Sequence, residues 1–416
     1  MAYLRKGRSA HGQASPEGPV LRKRSLRVKR EAAGRVRSGH PWIFREALVS
    51  RGELPEAPGQ IVTVQDQEGR FLGQGLWEPD GAVAIRIVTR DPEQLPSAEL
   101  YAERANLAID LREKLVEEEV EAYRIINSEG DLLPGLTVDR YGDFLVAQLF
   151  TEAARPMAEA VYPVILERLQ ARGIYEQRRL RPTTGEKRAP ASLVLGKASP
   201  VDLIVSEYGI RFAVDVTAPL GVGLFPDLRE ARWWVGQQAE GKRILNQFSY
   251  TGAFTVHALA GGAAQVVAVD LSAKLHAWAR KNIKLNDLDP EARCRHLSAD
   301  VTAALARLEA SGERFDLAIL DPPSFSRGPA GTFSTARDFG DLVTATLRLM
   351  APGGQILAVS NTAKLSDDEF CRAVGRGGLR AGRELRVVRR FSLPPDFPSP
   401  PAFTEGLYLK AYLLTS

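Results

Sequence analysis

The chain has 416 residues, with 55 Lys plus Arg against 51 Asp plus Glu, a formal charge of +4 and 44% apolar residues. The length suggests two to four domains, and the composition is that of a folded globular chain, not a disordered one. Its two cysteines, Cys294 and Cys371, exclude a disulfide framework and a cysteine-rich metal site, and they fit a reducing, cytoplasmic setting.

No N-terminal apolar stretch reads as a signal peptide. The longest uncharged stretch, residues 244–269, carries Asn246, Gln247, Ser249, Tyr250, Thr251 and His257, so no membrane span is expected. Charge is spread unevenly. Residues 1–40 hold eleven basic and two acidic residues, a net +9 on a body of −5. Such an arm suits a polyanion, because each neutralised phosphate releases counterions; a solvated tail is the alternative.

Residues 1–20 lack periodicity and read as a disordered basic leader. Leu26-Arg27-Val28, Ile61–Val64, Phe71–Trp77 and Val83–Val88 are short strands separated by Gly, Asp and Pro. They predict a small β-barrel over residues 21–93. A small α+β unit follows over residues 94–192. It has a helix from Ala98 to Glu121 with Leu107, Leu111 and Leu115 on one face, strands Tyr123–Asn127 and Phe144–Leu149, and a helix from Ala154 to Arg172. The Arg-, Pro- and Thr-rich residues 178–192 mark a boundary. Over residues 193–416, strands Ile244–Asn246, Val266–Asp270, Phe315–Leu320 and Gln355–Ser360 alternate with helices Leu271–Leu285 and Phe339–Met350. Repeated βα units predict an α/β fold with a parallel, doubly wound sheet.

In such sheets ligands sit at the carboxyl ends of the strands. The first informative strand end is Phe248-Ser249-Tyr250-Thr251-Gly252, a turn where backbone can approach a ligand closely. The second is Asp270, a carboxylate suited to a ribose diol or, alternatively, to capping the next helix. This pair fits NAD and S-adenosylmethionine equally. The third is Asp321-Pro322-Pro323-Ser324-Phe325. Two prolines remove two donors and hold the backbone, so Asp321 and nearby carbonyls can accept hydrogen bonds from a base amine. Phe325 offers a stacking face for a base taken out of its stack. A dehydrogenase has no use for this arrangement; a rigid turn is the structural alternative.

With the preceding turn and Asp270, that motif resembles the class I S-adenosylmethionine-dependent methyltransferases. The wider pattern resembles the bacterial ribosomal RNA large-subunit methyltransferase I family. Gly39-His40-Pro41-Trp42-Ile43-Phe44 is similar to its PUA-domain signature, and residues 127–141 (Asn127 to Tyr141) to its central-domain hallmark. Phe225-Pro226-Asp227-Leu228-Arg229 and Glu405-Gly406-Leu407-Tyr408-Leu409-Lys410 also fit, and the resemblance runs from about residue 21 to 414. It implies a PUA-like RNA-binding barrel, a Rossmann-like methyltransferase domain, S-adenosyl-L-methionine as cofactor and 23S ribosomal RNA as partner. The implied cofactor residues are Asp227, Arg229, Phe248, Ser249, Tyr250, Thr251, Gly252, Asp270, Asp300 and Asp321. An ion pair between Asp227 and Arg229, and a helix cap at Asp300, are the bland alternatives. Arg22, Lys23, Arg24, Lys29, Arg30, Arg35 and Trp42 are the expected RNA contacts. A homodimer stays open.

The family methylates carbon-5 of cytosine through a cysteine in a Ser-Cys-Ser segment after the strand matching 355–360. Here the segment reads Ser360-Asn361-Thr362, and an amide cannot add to carbon-6. A base nitrogen needs no covalent help, only alignment. The expected catalytic set is therefore Asp321, Pro322, Pro323, Phe325 and Asn361, with direct transfer to a base nitrogen and guanine favoured. Cytosine carbon-5 chemistry, a small-molecule or protein substrate, and an assembly factor that has lost catalysis are the competing readings.

Overall fold

The computed structural model describes residues 24–49, 54–179, 189–328 and 331–416, with backbone alone for 325–328 and 331–336. Arg22 and Lys23, the expected leader and the side chain of Phe325 lie outside the described residues.

The N-terminal unit is a five-stranded sheet in the order β1-β3-β4-β5-β2, with β1 Arg24–Arg27, β2 Trp42–Phe44, β3 Ile61–Gln65, β4 Phe71–Trp77 and β5 Val83–Thr89. Helix α1, Arg30–Arg37, buries Ala33 and Val36 and exposes its arginines. Trp42 on β2 sits opposite Arg86 on β5.

The central unit holds α2 Ala98–Leu115, β6 Ala122–Asn127, β7 Leu136–Tyr141, β8 Phe144–Leu149, α3 Arg155–Arg168, β9 Gly173–Arg178 and β10 Ser192–Gly196, with sheet order β10-β9-β8-β7-β6. β10 pairs with β9, so this sheet runs on to Gly196, past the boundary expected at residue 192. Helix α2 departs from expectation in length and in face. It stops at Leu115, and Leu107 and Leu115 are 59% and 40% exposed. Its buried stripe is Leu100, Tyr101, Arg104, Ala105, Ala108, Ile109 and Arg112. Alanines let the helix approach the sheet, and the two arginines enter because backbone carbonyls and Asp131 take their donors. A leucine count cannot see that stripe.

A hairpin, β11 Leu203–Glu207 and β12 Ile210–Val214, leads into the C-terminal unit. Its elements are α4 Arg229–Gln237, β13 Arg243–Gln247, α5 Ala253–Ala260, β14 Gln265–Asp270, α6 Ala273–Leu285, β15 Cys294–Ser298, α7 Val301–Ala310, β16 Phe315–Leu320, β17 Phe325–Gly328, β18 Gly331–Ser334, α8 Thr335–Leu347, β19 Met350–Ser360, α9 Asp367–Arg380, β20 Arg386–Phe391 and β21 Lys410–Thr415. The sheet order is β15-β14-β13-β16-β19-β21-β20. The first five strands are parallel, but β21 runs antiparallel between β19 and β20. The crossover through α9 skips one sheet position, and β21 fills it from the other direction. Alternate residues feed two cores: Ile244, Val266 and Ile319 face one, Leu245, Val267 and Leu320 the other. Burial on both faces explains the near-continuous apolar runs of these strands.

The connection between β20 and β21 ties the units together. Asp396 is fully buried; it pairs with Arg229 at 2.7 Å, accepts from the Arg124 backbone N–H at 2.8 Å, and its carbonyl accepts from Arg112 at 2.8 Å. Asn127 donates to the Pro398 carbonyl at 2.7 Å. Gly130 is required beneath it, since a Cβ there would lie 1.9 Å from that same oxygen. Among the described residues, no helix is long and apolar enough to cross a membrane.

Candidate functional site: an interdomain cavity at the strand ends

A cavity of about 890 Å³ opens where the three units meet. Small-molecule sites span roughly 300–1,000 Å³, so this one is large enough for a nucleoside cofactor with room to spare. One wall is the turn after β13. Phe248, Tyr250 and Gly252 all have positive φ, and a Cβ on Gly252 would stand 2.8 Å from the Ala279 Cβ. The turn is therefore pressed against α6, held by Asn282 donating to the Thr251 carbonyl at 2.9 Å and by the Thr251 hydroxyl on the Gly223 carbonyl. Phe248, Ser249 and Tyr250 face the cavity; Thr251 and Gly252 stand behind it as packing. Asp270 underpins the turn, accepting from the Tyr250 backbone N–H at 3.1 Å and from Ser272 N–H at 2.9 Å.

Across the cavity lie the ends of β16 and β19. Asp321, Ser324 and Asn361 line it, and the Ser324 hydroxyl donates to the Asn361 side-chain carbonyl at 3.1 Å. Pro322 is buried and Pro323 exposed; both shape the turn without lining the cavity. Asp227 reaches the same space and accepts from the Tyr408 hydroxyl at 3.0 Å. Burial pushes Asp321 up to about 7, and the neighbouring Asp227 charge adds to the rise. Asp227 is itself raised, chiefly by burial, with the Tyr408 hydrogen bond opposing.

Five of the ten expected cofactor residues line the cavity; Thr251, Gly252, Asp270, Arg229 and Asp300 do not. Arg229 is buried against Asp396 instead, not paired with Asp227. Asp300 caps α7, accepting from Thr302 and Ala303 N–H. Neither cysteine lines the cavity. Cys294 is buried in β15 with its thiol pushed up to about 12, and Cys371 is half-buried on α9.

The expected RNA contacts divide. Arg24, Lys29 and Arg30 are exposed. Arg35 turns inward at its tip, 2.8 Å from His40, which is buried and 3.3 Å from Glu405. Trp42 is half-buried at the unit junction, donating to Glu129 at 2.7 Å with its ring 4.7 Å from that of Phe403. The remaining wall was not foreseen: Arg124, paired with Asp139 at 2.6 Å, with Tyr141, Phe403 and Tyr408. Most of these fall in the two segments, 127–141 and 405–410, that stood out in the sequence without an assigned role.

A family model described as S-adenosylmethionine-dependent methyltransferase matches residues 133–414, and one described as PUA-like domain matches residues 26–90. Ribosomal RNA large subunit methyltransferase I of Tolumonas auensis is 33% identical over 378 residues, covering 90% of this chain and 95% of that protein. The protein of the same name from Shewanella denitrificans is 34% identical over 392 residues, covering 93% and 98%. Among solved structures, a methyltransferase complexed with SAH superposes with a TM-score of 0.86 at 24% identity, covering 94% of this chain and all of that one. Fold and site thus define an S-adenosylmethionine-dependent methyltransferase carrying a PUA-like domain. Within that class, the chain belongs to the ribosomal RNA large subunit methyltransferase I family.

Proposed function

We propose that this chain methylates a base of large-subunit (23S) ribosomal RNA by direct transfer to a base nitrogen, with guanine favoured. The curated relatives' name supports the RNA substrate. One observation carries the nitrogen reading: the cavity holds Asn361, an amide oriented by Ser324, and no cysteine lines it among the described residues. A carbon-5 mechanism lacks its nucleophile in this arrangement.

The residues present fit S-adenosylmethionine. Ser249 Oγ is buried at the cavity wall without a hydrogen-bond partner among the described residues, so a ligand atom would complete it. The turn from Phe248 to Tyr250, with Asp270 beneath it, would hold the cofactor, which supplies an electrophilic methyl whose bond to sulfur breaks on transfer, leaving a neutral thioether. Asp321 accepts the hydrogen bond of the target N–H and takes its proton as the N–C bond forms. A carboxyl near 7 is matched to that task at neutral pH. Asn361 and Ser324 hold the base edge.

Methyl transfer from labelled cofactor to stripped ribosomal RNA, followed by nucleoside mass spectrometry, tests this. An N-methylated guanosine is expected. Formation of 5-methylcytidine, or its loss from a deletion strain, overturns the nitrogen reading. Tight cofactor binding without RNA affinity at low salt overturns the RNA substrate. Weak cofactor binding by calorimetry would favour an RNA-binding assembly factor.

A further inference from the structure

Arg86 is a charge that the fold, among the described residues, pairs only at a distance and does not hydrogen-bond. It lies on β5 of the PUA-like domain, its side chain is only 11% exposed, and it lines the cavity shared with Asp321. Its nearest carboxylate oxygen, on Glu129, is 3.7 Å away, and among the described residues no hydrogen bond is made by its guanidinium. The acids around it are engaged elsewhere: Glu129 accepts from Trp42 and Ser128, and Glu78 from Thr151 and the Ala153 N–H. The guanidinium carbon lies over the Trp42 ring, 5.7 Å from its centroid, a cation–π contact. A second donor faces the same cavity. Thr137 Oγ1 is buried without a hydrogen-bond partner among the described residues. Gly135 lines the same cavity at φ +84°, packed so that a Cβ there would meet Thr151 Cγ2 at 2.6 Å and stand 3.7 Å from Arg86 Cδ.

A desolvated guanidinium with free donors calls for a ligand oxygen, and its fork geometry matches a phosphate. We propose that Arg86, with Thr137 lining the same cavity, binds a phosphodiester of the RNA strand whose base enters the cavity, so that the PUA-like domain forms part of the active site. The inference rests on the RNA substrate proposed above. The other source of an anionic oxygen pair is the cofactor's own carboxylate. Arg86 stands on a different unit from the Phe248–Tyr250 turn, which favours the RNA.

The test uses the full chain, Arg86→Gln and Arg86→Lys, with large-subunit ribosomal RNA as probe. RNA binding is measured across a salt series, cofactor binding by calorimetry, and folding by thermal melting. For Arg86→Gln, RNA affinity is expected to fall at least about tenfold, as for one lost charged hydrogen-bonding site. The slope of log K against log salt should shrink by about 0.7, one single-stranded phosphate, with cofactor affinity unchanged. Arg86→Lys should keep the slope and lose part of the affinity, and it carries the test if the Gln variant does not fold. RNA affinity and slope equal to wild type overturn the proposal. So does a loss confined to cofactor affinity, which would assign Arg86 to the cofactor carboxylate. Failure of the RNA reading itself would look different: the unaltered chain would not bind or methylate the RNA.

Discussion

Asp227→Asn is the sharpest probe of the site. Asp321 is shifted from 3.8 to about 7 by burial first and by the Asp227 charge second, with Arg232 opposing. Holding this carboxyl near 7 instead of 3.8 corresponds to about 4 kcal/mol against its ionisation, at roughly 1.4 kcal/mol per factor of ten. The sign follows from proton counting. Between pH 4 and 7 the folded chain holds a proton on Asp321 that the unfolded chain has lost. This group's stabilising contribution is therefore fully present below the unfolded value and lost as pH rises through about 7. If ionised Asp321 is the acceptor for the target N–H, kcat/KM falls on the acid side with a midpoint near 7. Removing the Asp227 charge should lower that midpoint by on the order of one unit, the scale of one nearby like charge. The side chain stays nearly isosteric, and the Tyr408 hydroxyl keeps an oxygen acceptor. The assay is single-turnover methyl transfer from pH 5 to 9 with saturating RNA. A midpoint that stays put, or moves up, refutes the coupling of the two carboxyls.

Arg112→Ala should destabilise the chain by about 3–5 kcal/mol, as breaking a buried pair does. It strips Asp131 of a bidentate partner at 2.6 and 2.8 Å and frees the Asp396 carbonyl; chemical denaturation reads the loss. Gly252→Ala should cost about 1–3 kcal/mol, since φ is +80° and the new methyl meets Ala279 at 2.8 Å. Cofactor affinity, measured by calorimetry, should fall with it. The double variant Cys294→Ala, Cys371→Ser should keep methyl transfer, because neither thiol reaches the cavity. Abolished activity in a folded double variant would restore a thiol mechanism.

Local signals were legible because they are short-range. The strands of the C-terminal sheet announce themselves as apolar runs because both faces are buried. The turn at 248–252 and the Asp-Pro-Pro segment read correctly as strand ends because Gly and Pro act on their own backbone. Helix α2 misled because its buried face sets Arg104 and Arg112 among Leu100, Tyr101, Ala105, Ala108 and Ile109, while Leu107 and Leu115 lie on the exposed side.

Asp227 and Arg229 show where sequence reading stops. They are two residues apart, yet one faces the cavity and the other a buried aspartate 167 positions further on. Residue identity by itself determined the α/β fold, the absence of a catalytic thiol at position 361, and which carboxylates could serve. Only the tertiary structure decided that the 392–408 segment, the barrel's Trp42 and Arg86, and the central strands close one cavity around them. The reason is physical: a side chain's charge and orientation depend on the partners that long-range packing delivers, and those partners lie outside any local window of the chain.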